Sequence, residues 1–219
     1  MTTGPARTEI TRLREKARTD RAELDALLDS VHLGHFALAT GGAPVVIPTA
    51  VVRDGDRIVA HGSSGSHWMR TLANGAPTCL AVTAVDGVVA ARSAFESSIH
   101  YRSAVLFGTC AVLDGADKER ALDLVTAALI PGRVAELRRP AEKELAATLV
   151  LALPITEWSL KVSAGWPDDP PEDVDGDAWA GVIPVVRTFG PPVPAPDLRA
   201  GIALPPSVLG LAAAPPAFG

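Results

Sequence analysis

The sequence predicts a mainly β fold with peripheral helices (α+β), in which six or seven short antiparallel strands close on themselves. Three observations carry this. Short runs rich in β-branched residues recur along the middle of the chain. Turn signals separate them: Gly41-Gly42, Asp54-Gly55-Asp56 and Asp86-Gly87. Few helical patterns lie between the strands, and closing the sheet removes the edges a flat one would leave.

In chain order, Ile10, Leu13 and Ala17 recur at helical spacing. Asp20 with Glu23 opens a second helix, whose apolar stripe is Leu24, Leu27, Leu28 and Val31. A short strand over residues 35–40 ends at Gly41-Gly42. Residues 45–53 and 57–61 pair as a hairpin around Gly55, which accepts the positive φ such turns need. A small polar loop, Gly62-Ser63-Ser64-Gly65-Ser66, leads into a helix from His67 to Asn74, with Trp68 and Leu72 on one face. Strands follow over 77–83 and 88–91, joined at Asp86-Gly87. A long strand covers 101–113, with Gly108 as a bulge or close-approach point. Asp117 caps a helix reaching Leu129, 141–145 forms a weaker one, and 149–153 and 157–163 are the last strands.

The chain has 219 residues, 47% apolar and 21% charged, which is enough to bury a core. A net charge of −5 argues against nucleic acid and against a polybasic membrane-surface protein. Cys79 and Cys110 are too few for a disulfide framework and read as buried free thiols in a cytoplasmic protein. The charged stretch from Arg7 to Arg21 does not fit a secretory signal. The last 30 residues carry eight of the 19 prolines and two charged residues, Asp197 and Arg199. A segment so poor in charge lies against its own domain or a partner subunit, or else is a plain disordered tail. The organisation expected is an N-terminal helical arm over 1–22, a barrel domain over 23–164 and a Pro-rich extension over 165–219.

Two stretches offer chemistry. HGSSGSHWMR, from His61 to Arg70, places hydroxyls and backbone N–H groups between a strand and a helix. It reads either as a cradle for a phosphate monoester, with His67 or Arg70 as the cation, or as a surface turn that caps a helix. Tyr101-Arg102-Ser103 opens the long strand. Arg102 either reaches a phosphate or ring carbonyl or simply faces outward. Trp158, Trp166 and Trp179 serve as core or interface anchors, or stack on a flat ligand. The five histidines have no spacing that selects a metal site. No GxSxG element, phosphate-binding P-loop or GxGxxG is present.

The order of these pieces resembles the pyridoxamine 5′-phosphate oxidase-like family of FMN-binding split β-barrels, on the branch with the nitroimidazole-resistance proteins. The resemblance runs from about Leu24 to Ser163 and rests on HGSSGSHWMRTL, ANGAPTCLAVT and HYRSAVLFGTCAVL. It implies a homodimer with FMN in grooves at the subunit interface and a small organic substrate. Backbone groups of Pro48, Thr49 and Ala50 would meet the polar edge of the flavin. His61 and Gly62 would lie beside the ribityl chain. Ser63, Ser64, Ser66 and His67 match the phosphate loop, supported by Arg70. Arg102 and Ser103 fall near the ring, and no catalytic acid or base is singled out. Where the oxidase holds the phosphate with arginines and lysines, this chain has Val45, Ala50, Ser66 and His67, so vitamin B6 oxidation is not expected. Relatives of the fold bind haem or a deazaflavin instead. For haem, the resemblance offers His61, His67 or His100 as axial ligand. A non-catalytic flavin-binding role is the remaining alternative.

Overall fold

The computed structural model describes residues 6–40 and 42–218. The Gly41-Gly42 turn and the start of the N-terminal arm therefore fall partly outside the described residues.

Helix α1 (Arg21–Ser30) starts where the Asp20 side chain accepts the Ala22 N–H at 2.9 Å. Its Leu24, Leu27 and Leu28 are buried on one stripe. The other helices are α2 (His67–Ala73), α3 (Gly115–Leu129), α4 (Glu142–Ala147), the one-turn α5 (Pro171–Val174) and α6 (Pro206–Ala212). The barrel strands are β2 (Leu33–Thr40), β3 (Ala43–Asp54), β4 (Arg57–Ser63), β5 (Pro77–Ala90), β6 (Ser98–Thr109), β8 (Thr148–Pro154) and β9 (Glu157–Ser163). Short strands β1 (Ala17–Arg18), β7 (Ala111–Val112) and β10 (Gly181–Pro184) extend the sheet. The antiparallel order is β1-β9-β6-β5-β2-β3-β4-β8-β7, with β10 added to β5. This is the split β-barrel that the sequence predicts.

Two rows of residues define the sheet's faces. Ile47, Phe36, Leu80, Leu106 and Trp158 are successive cross-strand partners and point inward. Phe36, Leu80 and Leu106 are at most 1% exposed, and each contributes roughly 1.5–3 kcal/mol by burial. The next row, Pro48, His35, Ala81, Val105 and Ser159, points outward. A second core lies outside the barrel, where α3 buries Ala121 and Val125 against Val52, Val59 and Val150.

Several elements differ from the sequence reading. Residues 10–17 do not form a helix. Leu13 is left-handed (φ 56°), Arg14–Lys16 is a single 3-10 turn, and Ala17–Arg18 pairs with β9 instead. The Asp86-Gly87 signal is a bulge inside one 14-residue strand rather than a hairpin. At this point β10 pairs with the other edge of β5 and the Ile183 carbonyl approaches Gly87, so the strand has partners on both sides and continues. The cap of α3 is Asp114; Asp117 lies in the first turn and pairs with Arg57 and Arg120. Of the cysteines, Cys110 is buried and Cys79 only half so. Trp158 packs on the core, but Trp166 and Trp179 are exposed.

The C-terminal segment lies against the domain. Beyond β10, strands β11 (Val186–Arg187) and β12 (Ala217–Phe218) pair with each other. Helix α6 is tied down where the Ser207 N–H and hydroxyl donate to the Glu136 carboxylate at 3.0 and 2.5 Å. No helix among the described residues is long and apolar enough to cross a membrane.

Candidate functional site

Strand β3 changes partners halfway. Residues 43–50 pair with β2, whereas residues 51–54 pair with β4. The last β3–β4 rung is Val51–Ala60. Beyond it the strands part, because His61, Gly62 and Ser63 continue only with β8. The backbone alternation fixes what faces the gap. Val51 N–H donates to the His32 carbonyl on the β2 side, so the Pro48 carbonyl and the Ala50 N–H turn to the open side. Proline is tolerated at 44 and 48 for the same reason, since each would aim its missing N–H away from the ladder. The fold thus brings Pro48, Thr49 and Ala50 to one lip of a slot and His61, Gly62 and Ser63 to the other. The Thr49 side chain is on the inner parity, opposite Gly34, so Thr49 offers the slot less than its neighbours do.

At the end of the slot the chain turns into α2. Ser63 Oγ accepts the Gly65 N–H at 3.1 Å and Ser66 N–H donates to the Ser63 carbonyl at 3.0 Å, which sets the bend. Ser64 N–H donates to the Ala147 carbonyl of α4 at 2.9 Å and fixes the loop to the neighbouring helix. Among the described residues, the hydroxyls of Ser64 and Ser66, the His67 ring and the Arg70 guanidinium are left without protein partners. His67 and Arg70 are exposed. Gly62 packs closely on the first turns of α2: a Cβ there would sit 3.3 Å from the Met69 side chain.

His61 is unusual. It is half-buried and its Nδ1 has no hydrogen-bond partner among the described residues. Burial lowers its pKa, so the neutral ring is favoured.

Arg102 and Ser103 are not brought to this slot within one chain. They sit on β6, three strands from β3, or about 14 Å at the usual strand spacing. Ser103 Oγ lies 3.1 Å from Thr83 Oγ1 on the outer face. Arg102 is engaged by Asp86 through Nε and Nη2, each at 3.0 Å.

A second concave feature has no counterpart in the sequence reading. A cavity of about 910 Å³ opens between the end of α1, the end of α3 and the C-terminal segment. His32 and Leu33 form one side; Leu129 and Pro131 form another; Arg187, Phe189 and Leu211 close it. His32 Nδ1 is buried without a partner among the described residues. A buried polar atom left unpaired costs roughly 1–3 kcal/mol. Nothing in the local sequence around His32 signals this, because the opposite wall comes from the far end of the chain.

The profile of the family described as Pyridoxamine 5′-phosphate oxidase matches residues 20–162, and the chain belongs to that family. The structure is similar to that of the FAD and haem binding protein from Mycobacterium smegmatis, with 54% identity and a TM-score of 0.86 over 90% of this chain and 97% of that one. It is also similar to the flavocytochrome Anf3 from Azotobacter vinelandii, with 36% identity and a TM-score of 0.88 over 94% and 97%. A protein assigned to 5-nitroimidazole antibiotic resistance in Bacteroides thetaiotaomicron shares the fold at 15% identity, with a TM-score of 0.58 over 67% and 86%. No curated protein matches the chain.

Proposed function

We propose that this protein is a flavin-dependent oxidoreductase that also carries haem, working as a homodimer on a small organic substrate. The observation that carries the flavin assignment is the slot between β3 and β4, with free backbone groups along one lip and unpaired hydroxyls at its end. An isoalloxazine has polar edge atoms that pair with such backbone groups, and its phosphate suits Ser64, Ser66 and Arg70. The redox chemistry belongs to the cofactor; the chain orients it and excludes water.

FMN is the cofactor the family resemblance implies. The similarity to an FAD and haem binding protein at 54% identity favours FAD, which shares the isoalloxazine, the ribityl chain and the first phosphate with FMN. The same similarity, with that to a flavocytochrome, supports haem as the second group. The incompleteness of one chain supports the homodimer. Ser103 lies on the outer face, far from its own slot, and reaches a flavin only if that face closes over the slot of a second copy. The outer row His35, Ala81 and Val105, with exposed Val46 and Leu33 beside it, supplies the apolar surface for that contact.

The test is the absorbance of the purified protein. Flavin bands are expected, with FAD or FMN identified after denaturing release. Ser64→Ala/Ser66→Ala/Arg70→Ala should weaken flavin binding at least tenfold, since a charge-assisted hydrogen bond contributes about 1.5–3 kcal/mol. A colourless protein that leaves the fluorescence of added FMN and FAD unchanged overturns the reading.

A further inference from the structure

We propose that the cavity between α1, α3 and the C-terminal segment is the haem pocket, with His32 as an axial ligand of the iron and Arg187 as the partner of a propionate. The proposal rests on the reading above that the protein carries haem, and it names the residues that would hold it.

Three properties of the cavity fit that group. The first is size and wall chemistry. At about 910 Å³ the cavity lies near the top of the range of cofactor pockets, roughly 300–1,000 Å³. Its walls include Leu33, Leu129, Phe189 and Leu211, which suit the apolar faces of a porphyrin.

The second is the imidazole. His32 lines the cavity, its Nδ1 is buried without a partner, and its ring makes no hydrogen bond among the described residues. A neutral imidazole is a common axial ligand of haem iron. The other four histidines do not combine these properties: His35 stands in the outward row between Pro48 and Ala81 and does not line the cavity. His67 is exposed on the phosphate loop. His61 also has an orphaned Nδ1, but it stands on the lip of the slot and does not line the cavity. His100 pairs in register with Gly87 at the β5 bulge.

The third is charge. Arg187 donates from Nη2 to the Ser30 carbonyl at 3.2 Å and has no carboxylate partner among the described residues. Among the described residues it is the one arginine or lysine on the cavity wall. A ligand that is apolar across its face, binds a histidine through a metal and carries carboxylates at one edge answers all three features.

The location also joins the two cofactors. Leu33 on the cavity wall is the cross-strand partner of Ala50 on the lip of the slot. The two sites therefore lie on adjacent strands, β2 and β3, without any intervening domain.

Titration of the full-length protein with hemin tests the assignment by spectroscopy. Wild type should develop a Soret band with a histidine-ligated spectrum. His32→Ala should lose that spectrum or shift it, while far-UV circular dichroism and flavin absorbance stay as in wild type. Added imidazole should restore the band. Arg187→Ala should keep the ligation spectrum and bind hemin about tenfold more weakly, the usual scale for a lost charge-assisted bond. If wild type binds hemin and His32→Ala gives the same spectrum and affinity, the pocket assignment is overturned and the haem reading stands. The pocket assignment is likewise overturned if the spectrum is lost with His61→Ala, His67→Ala or His100→Ala and kept with His32→Ala. If wild type binds no hemin, the haem reading falls and the pocket falls with it.

Discussion

Arg102 and Asp86 face each other across the β5–β6 ladder and join through two parallel hydrogen bonds of 3.0 Å. Asp86 sits at the β5 bulge, and its carbonyl accepts the Val185 N–H just after β10 at 3.0 Å. The arginine that the family resemblance places near a flavin is thus also a structural cross-tie. Both side chains are 23% exposed. Each single alanine variant should cost about 0.5–1 kcal/mol in urea unfolding. The double variant should cost no more than the larger single one, because neither group has a further charged partner among the described residues. Additive losses would show that the pair does not interact in solution.

Gly34 should not tolerate a side chain. A Cβ there would meet Leu80 Cδ1 at 2.7 Å and Val51 at 3.0 Å, inside a filled core. Gly34→Ala is expected to destabilise by about 1–3 kcal/mol through overpacking. It should also shift β2 against β3 and so weaken flavin retention. Denaturant midpoint and bound-flavin stoichiometry check both effects.

The acid limb of stability should depend on a four-residue network. Hydrogen bonds from Arg57 and Arg120 hold the Asp117 carboxyl down at about 2, and Arg120 with Arg57 lowers that of Asp54. An unfolded aspartate titrates near about 3.9. Below that pH the unfolded chain takes up protons that the folded one refuses. The network's stabilisation is therefore complete above about pH 4 and is lost as pH falls towards 2. Asp117→Asn should lower the melting temperature at neutral pH and flatten this limb, so that variant and wild type converge as pH falls towards 2 in melting temperatures measured across pH 2–7.

Cys110 should be inert in the folded protein. It is 8% exposed, and burial pushes its thiol up to about 12. At pH 8 the reactive thiolate is then almost absent. Iodoacetamide should modify Cys110 only after denaturant is added, as mass mapping would show. Because the folded pKa is raised, the thiol favours the fold below the unfolded value of about 8.5, and that contribution is lost as pH rises towards 12.

Most strands are legible in the sequence because their signals are local. Asp54-Gly55-Asp56 turns the chain within four residues, and Gly55 has the positive φ (60°) expected of it. Gly108 reads as a close-approach point, and a Cβ there would lie 3.2 Å from Leu153. Local signals also mislead. Ile10, Leu13 and Ala17 have helical spacing, but Leu13 takes a left-handed backbone and Ala17–Arg18 add a strand to β9 instead. Asp86-Gly87 looks like a turn, yet pairing on both edges of β5 holds the strand straight through it.

Sequence alone determined the β-rich class, the hairpin of β3 and β4, the serine-lined bend and the family that these pieces resemble. Each depends on residues within a few positions of one another, where side-chain alternation and turn preference act directly. The tertiary structure decided where β3 leaves β4, which backbone groups face the gap there, and that His32 and Arg187 line one cavity. Those features come from contacts between distant segments. Their free energy lies in the burial shared by both partners, and no local pattern in either partner carries it.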